Sequence, residues 1–500
     1  MSELLAAAGV LAAAAAAAAA ILLPPSRARS AAMLAALVLF PVLILGDQWE
    51  SRQILDLREE EGRFALLGLA VLVASASLAL VFRRWPLLLP LAIVAVLPFR
   101  IPIEAGGDTA NLLVPLYLVI AAGVLTTALR DLAPAAATRP AGGAVGGRSA
   151  SFWLPRVLAA VVVLYALQTL YSPDFSKSLQ NVCFFFVPFS LVYALLCEVR
   201  WSKKLLRLVL LLVALEAVAF TLVGSVEYLT RELFWNDQVI RSNEFHTYFR
   251  VNSVFWDPNI YGRYLAVAVA IAMSALLWAR ERRVVVLLTA LIVVLWLGLV
   301  PTFSQSSFAA LLAGLAVLAA LRWSPRWTLA AVCVGALLAL VVVIFAGGTS
   351  RVNPSRINID TGGRANLVSG GLELFAHRPI WGYGAGAFPA AYREQVATRK
   401  APVSVSHTQP VTVAAEQGLI GVAAYLALLA VALAAMLSRL WPPGSTSPTG
   451  ATIARVAILT AFVALLVHSL AYAGFFEDPI AWVLLAVGAS LATLPVRDAA

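Results

Sequence analysis

Long apolar runs separated by short polar breaks occupy most of the chain, and this pattern sets the architecture. A helix needs about 20 mostly apolar residues to cross the hydrocarbon core of a bilayer. Cutting at charge and Pro/Gly clusters leaves fifteen such runs, at 3–23, 31–46, 65–82, 86–103, 111–129, 153–171, 181–198, 205–225, 251–279, 284–303, 306–322, 327–347, 411–438, 452–474 and 478–495. They predict an all-α, polytopic integral membrane helix bundle of about 12–15 transmembrane helices with a large outward loop region. The first run, Leu4 to Leu23, lacks a basic n-region and is followed by Pro24-Pro25 and two arginines, so it reads as a span and not as a cleavable signal.

Composition supports the pattern. The chain is 61% hydrophobic and 12% charged, against about 45–50% and about 25% in a soluble domain. Too few charges remain to solvate the surface of a 500-residue soluble protein. That arithmetic excludes a soluble globular protein, a disordered chain and a nucleic-acid binder, despite the net charge of +10. Cys183, Cys197 and Cys333 lie inside apolar runs and read as small hydrophobes, with no disulfide or zinc spacing.

The basic residues sort by side. Alternate loops beginning with Arg27 and Arg29 collect 20 of the 36 basic residues and only four acids, Asp131, Glu198, Glu281 and Asp498. The positive-inside rule makes that face cytoplasmic, with the N-terminus outside and the C-terminus inside. The largest cytoplasmic loop, 130–152, is Ala/Gly/Pro-rich and reads as a linker. No internal repeat is visible, which weighs against transporter folds built from paired halves. The expected organisation is N-terminal helices over 1–240, a catalytic region over 241–440 that includes outer loop 348–410, and C-terminal helices over 441–500.

Candidate chemistry gathers on the outward face. Loop 348–410 carries Arg351, Arg356, Arg364, Arg378, Arg393, Arg399 and Lys400 against Asp360, Glu373 and Glu394, a net of +4. Guanidinium groups match phosphate oxygens, so the excess suggests a bound anion; attraction to lipid headgroups is the plainer reading. Thr361-Gly362-Gly363-Arg364 leads into helical apolar spacing, followed by the glycine-rich turn 379–386, whose backbone N–H groups suit close approach to a ligand. His407 precedes Pro410 at the start of a span, where a histidine near the working pH suits a general base. His246, His377 and His468 are read as structural. Arg250 and the helix-breaking Asp257-Pro258-Asn259 mark the outer entrance to another span, and irregular backbone at that depth belongs where it lines a cavity. Arg263 is costly in lipid and should face the bundle interior, as should Glu216 unless it pairs with a neighbouring helix. Glu416 faces the interior or sits in a first helical turn, favoured by the helix dipole.

Together these residues resemble the O-antigen ligase and polymerase superfamily. The resemblance rests on Arg250-x-x-Ser253-x-Phe255-x-x-Pro258-Asn259, on Gly363-Arg364 followed by Pro379-Ile380-x-Gly382-x-Gly384-x-Gly386, and on Ser406-His407 followed by Glu416-x-Gly418-Leu419-Ile420-Gly421. Phe303-Ser304-Gln305-Ser306-Ser307 is similar to the family's Ser-Arg span start without its arginine, and Thr408 stands where the family has asparagine. The likeness covers roughly residues 240–440. It implies a metal-independent, cofactor-free, inverting GT-C-like glycosyltransferase on the outer face of a bacterial plasma membrane. The implied donor is an undecaprenyl-diphosphate-linked glycan and the acceptor a hydroxyl on a glycan or lipid. Arg250 and Arg364 would hold the diphosphate and His407 would deprotonate the acceptor. Arg378, Arg393, Asn259, Glu416 and Arg263 would contact substrate. The alternatives are a metal-dependent transferase using Asp56 and Glu59-Glu60-Glu61, and a flippase with charges along a mid-membrane path.

Overall fold

A computed structural model describes residues 2–51, 54–55, 58, 62–105, 108–131, 150–245, 248–334, 363–396, 405–438, 440 and 449–493. Among them, twelve helices are long and apolar enough to cross a membrane: Glu3–Leu22, Arg27–Asp47, Phe64–Arg84, Val114–Asp131, Ala150–Thr169, Phe175–Cys197, Lys203–Thr230, Pro258–Leu276, Arg282–Thr302, Gln305–Arg322, Gln409–Leu437 and Gly450–Ser469. A shorter apolar helix, Pro479–Thr493, follows them. The polytopic bundle expected from the apolar pattern is therefore what the chain forms. Asp56, Glu59, Glu60, Glu61, His246, Arg351, Arg356, Asp360, Arg399, Lys400 and the linker 132–149 lie outside the described residues.

The run 86–103 departs from its expectation. Its helix, Leu88–Val96, has nine residues and spans about 14 Å, half a bilayer. Pro98 blocks continuation, and Ile101–Ala105 then pairs antiparallel with Asp108–Leu112. Apolarity marked a membrane segment there, but proline spacing decided that it would not be one straight helix. The run 327–347 is helical from 325 to 334, where the described residues stop.

The two ends of the bundle carry different polar clusters. At one end Arg29 donates to the Ala20 and Ala194 carbonyls at 2.8 Å each and pairs with Glu198, which also receives Arg130 Nη2 at 2.7 Å. Ser30 donates to Asp131 at 3.1 Å. At the other end Ser176 and the Gln180 amide donate to Asp47 at 2.8 and 3.3 Å. Residues assigned to one face by charge counting thus share one end. The alanine-rich Glu3–Leu22 buries Ala13, Ala14, Ala17 and Ala20 against Arg27–Asp47, Ala150–Thr169 and Val187–Cys197. Small side chains let helices approach closely where no hydrophobic force draws them together in lipid.

A second bundle, Pro258–Leu276, Arg282–Leu299, Gln305–Arg322 and Gly450–Ser469, positions the site. Phe220, Phe255, Tyr261 and Tyr264 cluster at the end where Pro258–Leu276 begins, with ring centroids 5.3–5.5 Å apart in the pairs Phe220–Phe255, Phe220–Tyr264, Phe255–Tyr261 and Phe255–Tyr264. Such edge and offset contacts fix relative helix positions as well as burying area.

Candidate active site

Three chain stretches, separated by up to about 150 residues, meet at one mouth of this second bundle. The first begins at Asp257, whose carboxylate accepts from the Asn259 N–H at 2.6 Å and caps Pro258–Leu276, with Pro258 in the first turn. The cap makes a sharp entry and leaves Arg250 beside the helix end. Arg250 donates Nε to the Thr302 carbonyl at 2.9 Å and Nη2 to Asn259 Oδ1 at 3.3 Å. Its backbone N–H and carbonyl are both held by the Asn243 amide, at 3.0 and 2.9 Å. Asn259 Oδ1 also accepts from Ser304 Oγ at 2.8 Å, and Ser304 contacts Ser306 and Ser307 at 3.1 and 2.8 Å. Ser306 Oγ lies 3.1 Å from His468 Nε2. A continuous polar chain therefore runs from Arg250 through Asn259 and the serines to a fully buried histidine.

The second stretch supplies Arg364. Gly363 caps Arg364–His377 with φ +85, so Arg364 is the first helical residue. Its charge lies within Coulombic reach of Arg250, His407 and His468. The third stretch supplies His407, half-buried with φ +61, immediately before Thr408 and the Gln409–Leu437 helix. Its ring is 6.5 Å from that of Tyr472, edge to face, and Tyr472 is 5.6 Å from the His468 ring. Burial and the neighbouring Arg364 push the His407 pKa below the ordinary value, with Asp257 opposing them. The imidazole is thus neutral, with a lone pair available, at physiological pH. Arg250, Arg364, His407 and Asn259, named from sequence, come together.

The remaining candidates have other partners. Arg263 Nη2 lies 3.0 Å from Asp478 Oδ2 with both side chains buried, and its guanidinium sits 6.0 Å from the Tyr472 ring. Glu216 accepts from the Tyr264 hydroxyl at 2.8 Å, the helix-to-helix pairing that was its plainer reading. Arg378 lies over the Tyr383 ring at 4.4 Å and Arg393 donates to the Pro389 carbonyl at 3.1 Å; both are exposed. His377 is exposed in the last turn of its helix. Removing one member of a buried ion pair costs about 3–5 kcal/mol, because it strands the other charge. Arg263→Met is expected to lower thermal stability in detergent by that order, and Arg263→Met with Asp478→Asn to recover most of it.

The glycine-rich turn 379–386 differs from its expectation. Its N–H groups are turned onto the protein's own helix. Gly386 and Phe388 donate to the two oxygens of Glu416 at 3.0 and 3.1 Å. Tyr383 and Gly384 donate to the Ala415 and Glu416 carbonyls at 3.1 and 2.8 Å, and Leu419 donates to Pro379 at 2.7 Å. Gly418 breaks the Gln409–Leu437 helix with φ 63 and ψ −162, and the turn fills the notch. A Cβ at Gly382 would stand 2.3 Å from the Glu416 carbonyl oxygen, and one at Gly418 would stand 2.3 Å from the Ile380 oxygen. Both also have positive φ, so close approach and left-handed backbone each demand glycine there. Glu416 is therefore held by the turn through both carboxylate oxygens. Gly418→Ala is expected to undock the turn and expose the segment 379–386 to limited proteolysis, since backbone cannot move aside as a side-chain tip can.

Sequence reasoning did not name Tyr472, Asp478 or Ser304 as site residues. Tyr472 lies within Coulombic reach of Asp257, Arg263, Arg100 and Glu477, yet it sits in the apolar flank after His468 with no spacing to mark it. Among the described residues, no group of three or more His, Cys, Asp or Glu side chains is placed to hold a metal.

Residues 290–426 match the family model described as O-antigen ligase. The match takes in Ser304–Ser307, Arg364, the glycine turn, His407 and Glu416, and begins after Arg250 and Asn259. No curated protein matches the chain.

Proposed function

We propose that this chain, an O-antigen ligase-type membrane glycan transferase by its match over residues 290–426, moves a glycan from an undecaprenyl-diphosphate-linked donor to an acceptor hydroxyl on the outer face of the plasma membrane. The observation that carries this reading is the convergence of Arg250, Arg364 and a neutral His407 at one mouth of the bundle. Arg250 and Arg364 lie within Coulombic reach and repel each other, and a diphosphate placed between them removes that cost and gains charge-assisted hydrogen bonds.

The reaction follows from the placement. His407 takes the proton of the acceptor hydroxyl as its oxygen attacks the anomeric carbon. The glycosidic bond to the diphosphate breaks on the opposite face, and its electron pair leaves with the phosphate oxygen. Configuration inverts. Arg250 and Arg364 meet the charge that develops on the leaving diphosphate, so no acid is needed to protonate it. Asn259 and the serine chain position Arg250. Arg378 and Arg393 serve as further anion contacts in this scheme, while Arg263 stays paired with Asp478 and Glu416 acts through the turn it holds.

The test is reconstitution of the purified full-length protein in liposomes with a lipid-diphosphate-linked oligosaccharide and a hydroxyl acceptor. Product with inverted anomeric configuration is the expected result, unaffected by chelator. Transfer that stops in chelator and returns with added Mg²⁺ would replace this scheme with a metal-dependent one.

A further inference from the structure

The opposite end of the molecule holds a cavity that the transfer reaction does not use. It encloses about 510 Å³ between the turn 85–87, the last turns of Val114–Asp131 and the turn that follows Cys197. That volume falls within the ~300–1,000 Å³ typical of small-molecule sites. Its deep wall is apolar, with Phe82, Leu89, Leu195 and Leu205. Thr126 and Thr127 also line it, but their hydroxyls already donate to the Ala122 and Gly123 carbonyls at 2.7 and 3.1 Å. A water there would lack the two to four polar partners that hold buried water in place.

The mouth is basic. Arg83, Arg130 and Arg200 line it against the single carboxylate of Glu198. Arg130 is already paired with Asp131 and Glu198, at 2.6 and 2.7 Å. Among the described residues, Arg83 and Arg200 have no carboxylate partner, and both are exposed. This end carries the basic loops, so it faces the anionic cytoplasmic leaflet.

We propose that this cavity binds one anionic phospholipid of the cytoplasmic leaflet, with its phosphate held by Arg83 and Arg200 and an acyl chain against Phe82, Leu89, Leu195 and Leu205. Pro86, in the turn after the Arg63–Arg84 helix, and Pro90, in the first turn of Leu88–Val96, line one side of the cavity. The phosphate completes the charge of the two free guanidinium groups, and the acyl chain satisfies the apolar wall.

The experiment compares full-length protein in nanodiscs of mixed phosphatidylglycerol and phosphatidylcholine, with tightly retained lipid read by native mass spectrometry. Wild type is expected to retain one phosphatidylglycerol in preference to phosphatidylcholine. Each basic residue beside an anionic lipid contributes about five-fold in affinity, so Arg83→Gln with Arg200→Gln is expected to weaken that retention about 25-fold. Leu129→Trp, which adds bulk at the cavity wall, is expected to lower retention with both arginines intact. Arg282→Gln with Arg283→Gln, exposed at the same end, is the control for general surface charge and is expected to leave retention unchanged. Equal loss in the control, unchanged retention in the Arg83/Arg200 variant, or displacement of the lipid by inorganic phosphate alone would overturn the proposal.

Discussion

His407→Ala is expected to cut glycan transfer by about 10²–10⁴-fold, the usual contribution of a positioned general base, with donor binding close to wild type. Its pH profile carries more information than the loss itself. Burial and Arg364 hold the imidazole pKa below the ordinary value, which is about 6.5. A base must be unprotonated, so wild-type transfer should hold steady through neutral pH and fall only as pH drops through that lowered pKa. The donor adds a second effect. Diphosphate bound at Arg364 offsets the cation that depresses His407, so the pKa rises in the complex. The acidic limb of kcat/KM, which reports the free enzyme, should therefore lie at lower pH than the limb of kcat, which reports the complex. Limbs at the same pH would disconnect His407 from the diphosphate site. An unchanged acidic limb in His407→Ala, with residual activity, would remove it as the base.

Arg364→Gln is expected to lower transfer by about 10²–10³-fold, the cost of deleting one donor aimed at developing transition-state charge. Two other readings separate this from damage to the fold. Arg364 repels Arg250 in the free protein, so neutralising it should leave thermal stability unchanged or raised. It also depresses His407, so the acidic limb of the residual activity should move to higher pH. A lowered melting temperature with no movement of the limb would make Arg364 a structural residue. Arg364→Lys should bring back the repulsion with Arg250 but little of the activity, because a point ammonium does not reproduce planar two-point contact with phosphate.

Several motifs were legible as chemistry but turned out to serve two purposes. Gly382, Gly384, Gly386, Glu416 and Gly418 were visible as a glycine-rich signature suited to ligand approach. They form the joint by which the segment 379–388 docks into a kinked span. Sequence showed correctly that backbone must come close to something there. It did not show that the partner is the chain's own helix, because N–H groups facing a ligand and N–H groups facing a carbonyl impose the same demand on φ and on Cβ. Ser304 and Ser306 are a converse case. As a Ser-rich span start they looked like a weak echo of a family motif, and in the fold they connect Arg250 and Asn259 to His468.

By itself the sequence determined the membrane class, most of the spans and the sorting of charge between the two ends of the bundle. Those properties follow from the local cost of placing polar groups in hydrocarbon, which each segment meets alone. Tertiary structure decided which charges are neutralised and which remain available. Arg263 is matched to Asp478 from a turn more than 200 residues away, and Glu416 is consumed by the glycine turn. Arg364 is brought beside Arg250 and His407. Electrostatic partnership depends on distance in space, and no hydropathy pattern along a chain encodes how separate helices pack.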